Sequence, residues 1–258
     1  MSDDAKEGAP PPAGGRFPTT HFSAVLGASS REPEIRERSL GTLIAAYWKP
    51  VYKWIRLRWR LPPPDAEDLT QAFFTRAMEK DFFAAYDREK GRFRTYLRTC
   101  VERFVGNEIK SAARLKRGGA VDLHSLDAHD FAGAERELLA ASESQARPPE
   151  EAFDAEWIRS LFALALEALR RECDARGKTV HYRLFERYDL AEAGPDRRTY
   201  EQLAAEFGLS ASLVTNNLAW TRREFRRLLL ETLRSVTGSE EEYRLEARLL
   251  LGGEPPPV

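Results

Sequence analysis

From Leu40 to Trp59 the apolar side chains recur at intervals of three and four: Leu40, Leu43, Ile44, Tyr47, Val51, Trp54, Ile55 and Trp59. That is the period of one face of an α-helix, and it returns along most of the chain, whereas sustained alternation of β-branched residues is nearly absent. The pattern confines the chain to an all-α fold. The first helix is expected over Pro33 to Arg60, with Pro50 a point at which it kinks or splits. Pro62, Pro63 and Pro64 stop it, because each removes a backbone donor and restricts the residue before it. Asp65 then reads as the N-cap of a helix starting at Ala66, with Asp68 three residues on favouring its positive end. Leu69, Ala72, Phe73 and Ala77 form the buried stripe of that helix. A third helix is expected to place Phe93, Leu97, Cys100, Val101, Phe104 and Ile109 on one face and to end before Gly118-Gly119.

A length of 258 residues fits two compact domains and a linker. The net charge of −1 is a cancellation between opposite blocks. Arg31 to Arg117 holds 20 Lys/Arg against 12 Asp/Glu, and Gly118 to Glu156 holds 2 against 10. A basic block beside an acidic one points to a polyanion-binding surface and a segment able to compete for it. The second stretch, rich in Ala, Ser and Gly, reads as a linker carrying at most a weak helix. The expected organisation is an extension over 1–30, a helical domain over 31–117, an acidic linker over 118–153, a second helical domain over 154–237 and a tail over 238–258.

Periodicity resumes at Trp157, with Leu161, Leu164, Ala165, Ala168 and Leu169 on one helix and Val180, Leu184, Phe185 and Tyr188 on the next. Thr199-Tyr-Glu-Gln202 is a capping box, Ala204 precedes Gly208 by four, and Val214 and Leu218 follow at helical spacing. This is helix-turn-helix syntax: a small residue lets two helices approach, Gly relieves the turn, and an apolar pair docks the second helix on the first. A generic helical hairpin shares these features, so the pattern alone leaves DNA binding and simple packing both open.

The densest basic stretch, Arg88 to Arg117, carries ten Lys/Arg against three Glu. Arg103, Lys110, Arg114 and Arg117 fall on one side of a helix, and Phe93 and Tyr96 interleave with Arg92, Arg94 and Arg98. Cations mixed with aromatic platforms suit unstacked bases beside a phosphate groove; a solvated helix face over core aromatics is the competing reading. The two cysteines, Cys100 and Cys173, read as buried, inert thiols, and the four histidines lack metal-ligand spacing. No phosphate loop, dinucleotide turn or nucleophile elbow is present, so neither catalysis nor a cofactor or metal is expected. No apolar run reaches the roughly 18 residues of a membrane span, and Met1 to Gly15 has no apolar leader core, so a cytoplasmic protein is expected.

Three segments, Arg16-Phe-Pro-Thr-Thr-His-Phe-Ser-Ala-Val-Leu26, Asp65-Ala-Glu-Asp-Leu-Thr-Gln-Ala-Phe-Phe74 and Gly91-Arg-Phe-Arg-Thr-Tyr-Leu97, resemble the extracytoplasmic-function sigma factors of the sigma-70 superfamily. Within that family they are similar to a subgroup that opens with an FPTT-type motif. The resemblance implies a first domain that binds bacterial RNA polymerase core and the −10 promoter element, and a second that reads the −35 element. By it, Asp65, Asp68 and Gln71 contact polymerase. Arg94, Tyr96, Arg98, Asn107, Lys110, Arg114, Lys116 and Arg117 face the melted −10 strand. Ser212, Thr215, Asn216, Asn217, Arg222, Arg223 and Arg226 face the −35 duplex, within a recognition helix over Ser210 to Arg227.

Two departures qualify this. Glu102, Arg103 and Asn107 stand where the family commonly has Arg-Asn and then Asp, and Thr215, Asn216 and Asn217 stand where it usually has a cation. An Asn amide can pair with adenine in the major groove, but fewer cations predict weak standalone binding. Trp220 is expected to pack in the core. The family also implies an anti-sigma factor or other regulator, which no residue identifies. Two other readings stay open: a helix-turn-helix regulator acting without polymerase, and a sigma-like decoy for protein interaction.

Overall fold

A computed structural model describes residues 23–80, 82–114, 128–142, 148–191 and 198–252. All regular structure among the described residues is helical. The first half holds α1 (Ala24–Gly27), α2 (Pro33–Trp59), α3 (Pro63–Glu79), a 3-10 turn (Phe82–Ala85) and α4 (Phe93–Arg114). The second holds α5 (Ala128–Ser142), α6 (Pro149–Ala175), α7 (Thr179–Tyr188), α8 (Tyr200–Phe207), α9 (Ala211–Ser235) and α10 (Glu240–Leu251).

The corner between α2 and α3 differs from the expectation. α2 runs through the buried Pro50 as one helix and ends at Arg60, whose φ of 53° is left-handed. Pro63 and Pro64 do not block a helix; they begin one, because a first-turn N–H has no partner to lose and the ring presets φ. Pro62 is therefore the N-cap, and Asp65 lies inside the first turn of α3 instead of capping it. Ile109, expected in the core, is 40% exposed. At roughly 100° per residue it lies about 160° around α4 from Phe93, off the packed face.

The acidic segment supplies a docked helix where at most a weak one was expected. Phe131 of α5 is buried edge-on to Trp48 and Tyr52 of α2, with ring centroids 5.3 and 5.1 Å away. Glu135 accepts hydrogen bonds from Tyr52 Oη at 2.7 Å and Arg56 Nε at 2.9 Å, and Glu137 pairs with Lys49 and Lys53 at 2.9 and 2.8 Å. One aromatic anchor and two acids thus meet a basic ridge on α2. The acids that argued against a packed helix are what match it to its neighbour.

Two buried clusters form, in keeping with one helical domain followed by a further one. The first joins α1 to α5 with the beginning of α6, the end of α9 and α10; the second joins the end of α6, α7, α8 and the beginning of α9. α6 and α9 each contribute to both clusters. Trp157, Leu161 and Ala165 of α6 belong to the first cluster, while Leu169 and Cys173 belong to the second. The most extensive helix pairing is α2 with α6, where Trp157 stacks on Tyr47 at 6.3 Å and Phe153 meets Trp54 edge-on at 6.0 Å.

Candidate nucleic-acid interface

α4 carries most of the residues expected to meet a DNA strand, and its helical phase splits them into two sets. Tyr96, Arg103, Asn107, Lys110 and Arg114 fall within roughly 60° of one another, while Arg94 and Arg98 lie on the opposite side. The structure uses the two sides differently. Asn107, Lys110 and Arg103 are exposed, and Tyr96 is half-buried. Lys116 and Arg117 lie outside the described residues.

On the Tyr96 side, α4 and the end of α3 enclose a cleft of about 660 Å³. Arg76, Lys80 and Arg103 give it positive charge, Tyr96, Phe82 and Phe104 give it ring faces, and Asn107 gives it an amide. Arg76 ties the walls together through a 2.7 Å ion pair with Glu108 and lies over the Phe104 ring. Tyr96 Oη donates to the Phe82 carbonyl at 2.6 Å, which fixes the ring. Burial, and then the neighbouring Cys100 thiol, push Tyr96 above the ordinary phenol range, so it remains a neutral donor. Cys100, expected to be buried, is half-buried in the cleft wall, and burial pushes its thiol up, which disfavours the thiolate. A cleft of this kind can stack a base, hold its edge at an amide and attract the flanking phosphates.

The other side of α4 is occupied by the chain itself. Arg94 is 8% exposed, its guanidinium 4.8 Å from the Trp157 ring centroid, 3.2 Å from Glu246 and 3.7 Å from Asp154. Arg92 reaches the same Glu246 oxygen at 3.3 Å. Glu242, one turn earlier on α10, accepts the Phe93 N–H at 2.8 Å and the Gly238 N–H at 2.7 Å. Burial raises both carboxyls; for Glu242 the Gly238 and Phe93 N–H groups oppose it, and for Glu246 Arg94 and then Arg92 do. Arg98 lies over the Trp54 ring at 5.3 Å and is half-buried.

On α3, Asp65 and Asp68 are exposed and Gln71 is half-buried, at spacings of three that keep them on one face. Glu67 lies among them, raised by burial and then by the charges of Asp68 and Glu135.

The α8 and α9 pair is built as its sequence signals indicate. Thr199 accepts the Gln202 N–H at 3.3 Å while Gln202 accepts the Thr199 N–H at 2.8 Å. Gly208 closes α8 with a φ of 65°, a left-handed conformation that disfavours a side chain. Ser210 then caps α9 through the Leu213 N–H. Ser212, Thr215, Asn216, Arg223 and Arg226 are exposed on α9, and Asn217 is half-buried with its carbonyl accepting from Thr221 Oγ1. Arg222 is engaged, donating to both Asp189 carboxylate oxygens at 2.9 and 3.0 Å. Trp220 packs against the second cluster, edge-on to His181 and under the Lys178 ammonium at 3.9 Å.

Sequence reasoning missed Arg76 and Lys80, which complete the cleft from α3; their spacing of four at the end of that helix was the available signal. The tail over 238–258 reads in sequence only as charge able to close over the basic surfaces, without naming residues; packing shows that Glu242 and Glu246 of α10 point inward at α4. Among the described residues no cluster of His, Cys, Asp and Glu could hold a metal ion, and no helix is long and apolar enough to cross a membrane.

In comparison with known proteins, residues 43–115 fit the family model of sigma-70 region 2, which spans α2 from Leu43, all of α3 and α4. Neither the curated proteins nor the solved structures contain a match. The matched segment holds the Tyr96 cleft and the acidic face of α3, and sigma-70 region 2 implies binding to RNA polymerase core and to promoter DNA. The region 2 match supports a sigma-70 family member, and it suggests a sigma-factor role in polymerase-directed transcription initiation.

Proposed function

We propose that this protein is an alternative sigma factor of the extracytoplasmic-function type, in the FPTT-motif subgroup, that binds bacterial core polymerase in the cytoplasm and directs it to particular promoters. The observation that carries this reading is the convergence of cations, rings and an amide in the cleft between α3 and α4, inside the segment that matches sigma-70 region 2. In this reading Asp65, Asp68 and Gln71 contact polymerase. Tyr96, Asn107, Lys110 and Arg114, joined by Arg76 and Arg103, receive the melted −10 strand. Arg94 and Arg98 back the same helix from its other side, and Lys116 and Arg117 extend its basic run.

Melting on this account needs no catalytic residue or cofactor. Single-strand capture by stacking offsets unpairing at about 1 to 3 kcal/mol per base. The −35 duplex is assigned to the exposed edge of α9, with Ser212, Thr215, Asn216 and Asn217 toward the bases and Arg223 and Arg226 toward phosphates. Arg222 joins them only on leaving Asp189. That engagement, with few cations at the start of α9, disfavours a regulator that grips duplex DNA strongly on its own. Co-purification with bacterial core polymerase tests the reading: a stable complex is expected, and its absence with folded protein contradicts it.

A further inference from the structure

The first turn of α4 has the makings of an anion site. It presents the Phe93 N–H at the positive end of a 22-residue helix, with Arg92 and Arg94 converging beside it. Two arginines and a helix N-terminus favour a phosphate or carboxylate, and here two carboxylates from far along the chain fill the place. Glu246 Oε1 stands 3.3 Å from Arg92 and 3.2 Å from Arg94, and Glu242 takes the backbone N–H between them.

The seat is not a well-satisfied one. Glu246 is 2% exposed, yet its Oε1 accepts no hydrogen bond; it has proximity to two charges without aligned N–H groups. A desolvated carboxylate held only by such pairing offsets little of its burial cost. The close approach of α10 also depends on Gly238, since a Cβ there would stand 2.4 Å from the Tyr86 ring. Tyr86 is itself held by its hydrogen bond to the Gly91 carbonyl at 2.9 Å.

We propose that Arg92, Arg94 and the first N–H of α4 form a site for a backbone phosphate of single-stranded DNA, and that Glu242 and Glu246 of α10 occupy it in cis. α10 is then an internal competitor for the strand: DNA enters this end of α4 only when α10 leaves. The inference rests on the proposed strand-capturing role of α4. It adds an occupant to that helix and a reason for weak binding by the protein alone.

The test is fluorescence anisotropy of a fluorescein-labelled single-stranded oligodeoxynucleotide, titrated with the full chain alone and with the chain bound to core polymerase, over a range of salt. Glu246→Gln leaves the buried Arg94 short of charge in the closed form and frees both arginines in the open one. Gly238→Ala displaces α10 without altering any charge. Both variants are expected to bind about tenfold tighter than the wild type, with a log–log salt slope steeper by about 0.7 for each phosphate gained. Adding Arg92→Gln to Glu246→Gln is expected to take back most of the gain. Wild-type affinity and slope in both single variants, with DNA still bound, overturns the competition. No binding by any form, polymerase-bound chain included, overturns the sigma-factor reading and the competition with it.

Discussion

The Lys53 ammonium of α2 lies 2.8 Å from the Glu156 carboxylate of α6, with side chains only 6% and 1% exposed. This pair joins the region 2 segment to the helix that continues into the second cluster. Arg159 adds a contact to Glu156 at 2.8 Å, and Lys53 also reaches Glu137. Removing Glu156 leaves the buried Lys53 with the more exposed Glu137 as its partner, so Glu156→Leu is expected to destabilise the fold, by less than the roughly 3 kcal/mol of a fully uncompensated buried charge. Replacing both, as Lys53→Met with Glu156→Leu, is expected to recover most of that loss. Urea unfolding of the three proteins measures it.

Docking of α5 is expected to depend on pH. The Arg56 guanidinium holds Glu135 below the usual carboxylate range, with the Tyr52 hydroxyl helping against a smaller opposing effect of burial. A folded-state value below the unfolded one gives stabilisation that is complete above the ordinary carboxylate range and lost as pH falls through the depressed value. Backbone amides of α5 are therefore expected to lose hydrogen-exchange protection on acidification before those of α2. Glu135→Gln removes this part of the pH dependence, and Phe131→Ala releases α5 at every pH.

In the proposed reading, charge on the exposed side of α4 sets the strength of strand capture. Reversing Lys110 and Arg114 is expected to weaken open-complex formation and flatten its salt dependence, by about 0.9 in the log–log slope per lost contact on duplex and about 0.7 on single strands. Open-complex lifetime measured against salt reads this out, and an unchanged slope counts against that side.

In the proposed reading, Asp68→Arg is expected to separate polymerase binding from folding. Asp68 is exposed on α3, so the reversal is expected to leave circular dichroism and thermal stability near those of the wild type. Binding to core polymerase, measured by co-elution, is expected to fall about tenfold or more, as a reversed charge opposes docking at a complementary polar interface.

The helices were legible because their apolar period is strong: Leu40 to Trp59 and Phe93 to Phe104 predict the faces that are buried in α2 and α4. The capping box at Thr199 and the turn at Gly208 were legible because their chemistry is local. Less legible were features set by distant partners. The charge of α5 read as a reason for disorder, since the basic ridge of Lys49, Lys53 and Arg56 that neutralises it lies some eighty residues earlier. Arg94 and Tyr96 are two residues apart, and only the phase of α4 sends one to Glu246 and Trp157 and the other to the cleft. The FPTT motif at Arg16 to Leu26 lies largely outside the described residues, which begin at Ser23.

Reconstituted transcription tests the central claim most directly. Purified bacterial core polymerase is combined with the full chain on a genomic promoter library, and transcript start sites are mapped. The account predicts a restricted set of starts that core polymerase alone does not make and that Asp68→Arg abolishes. Transcription indistinguishable from core polymerase alone, with the added protein folded, contradicts it.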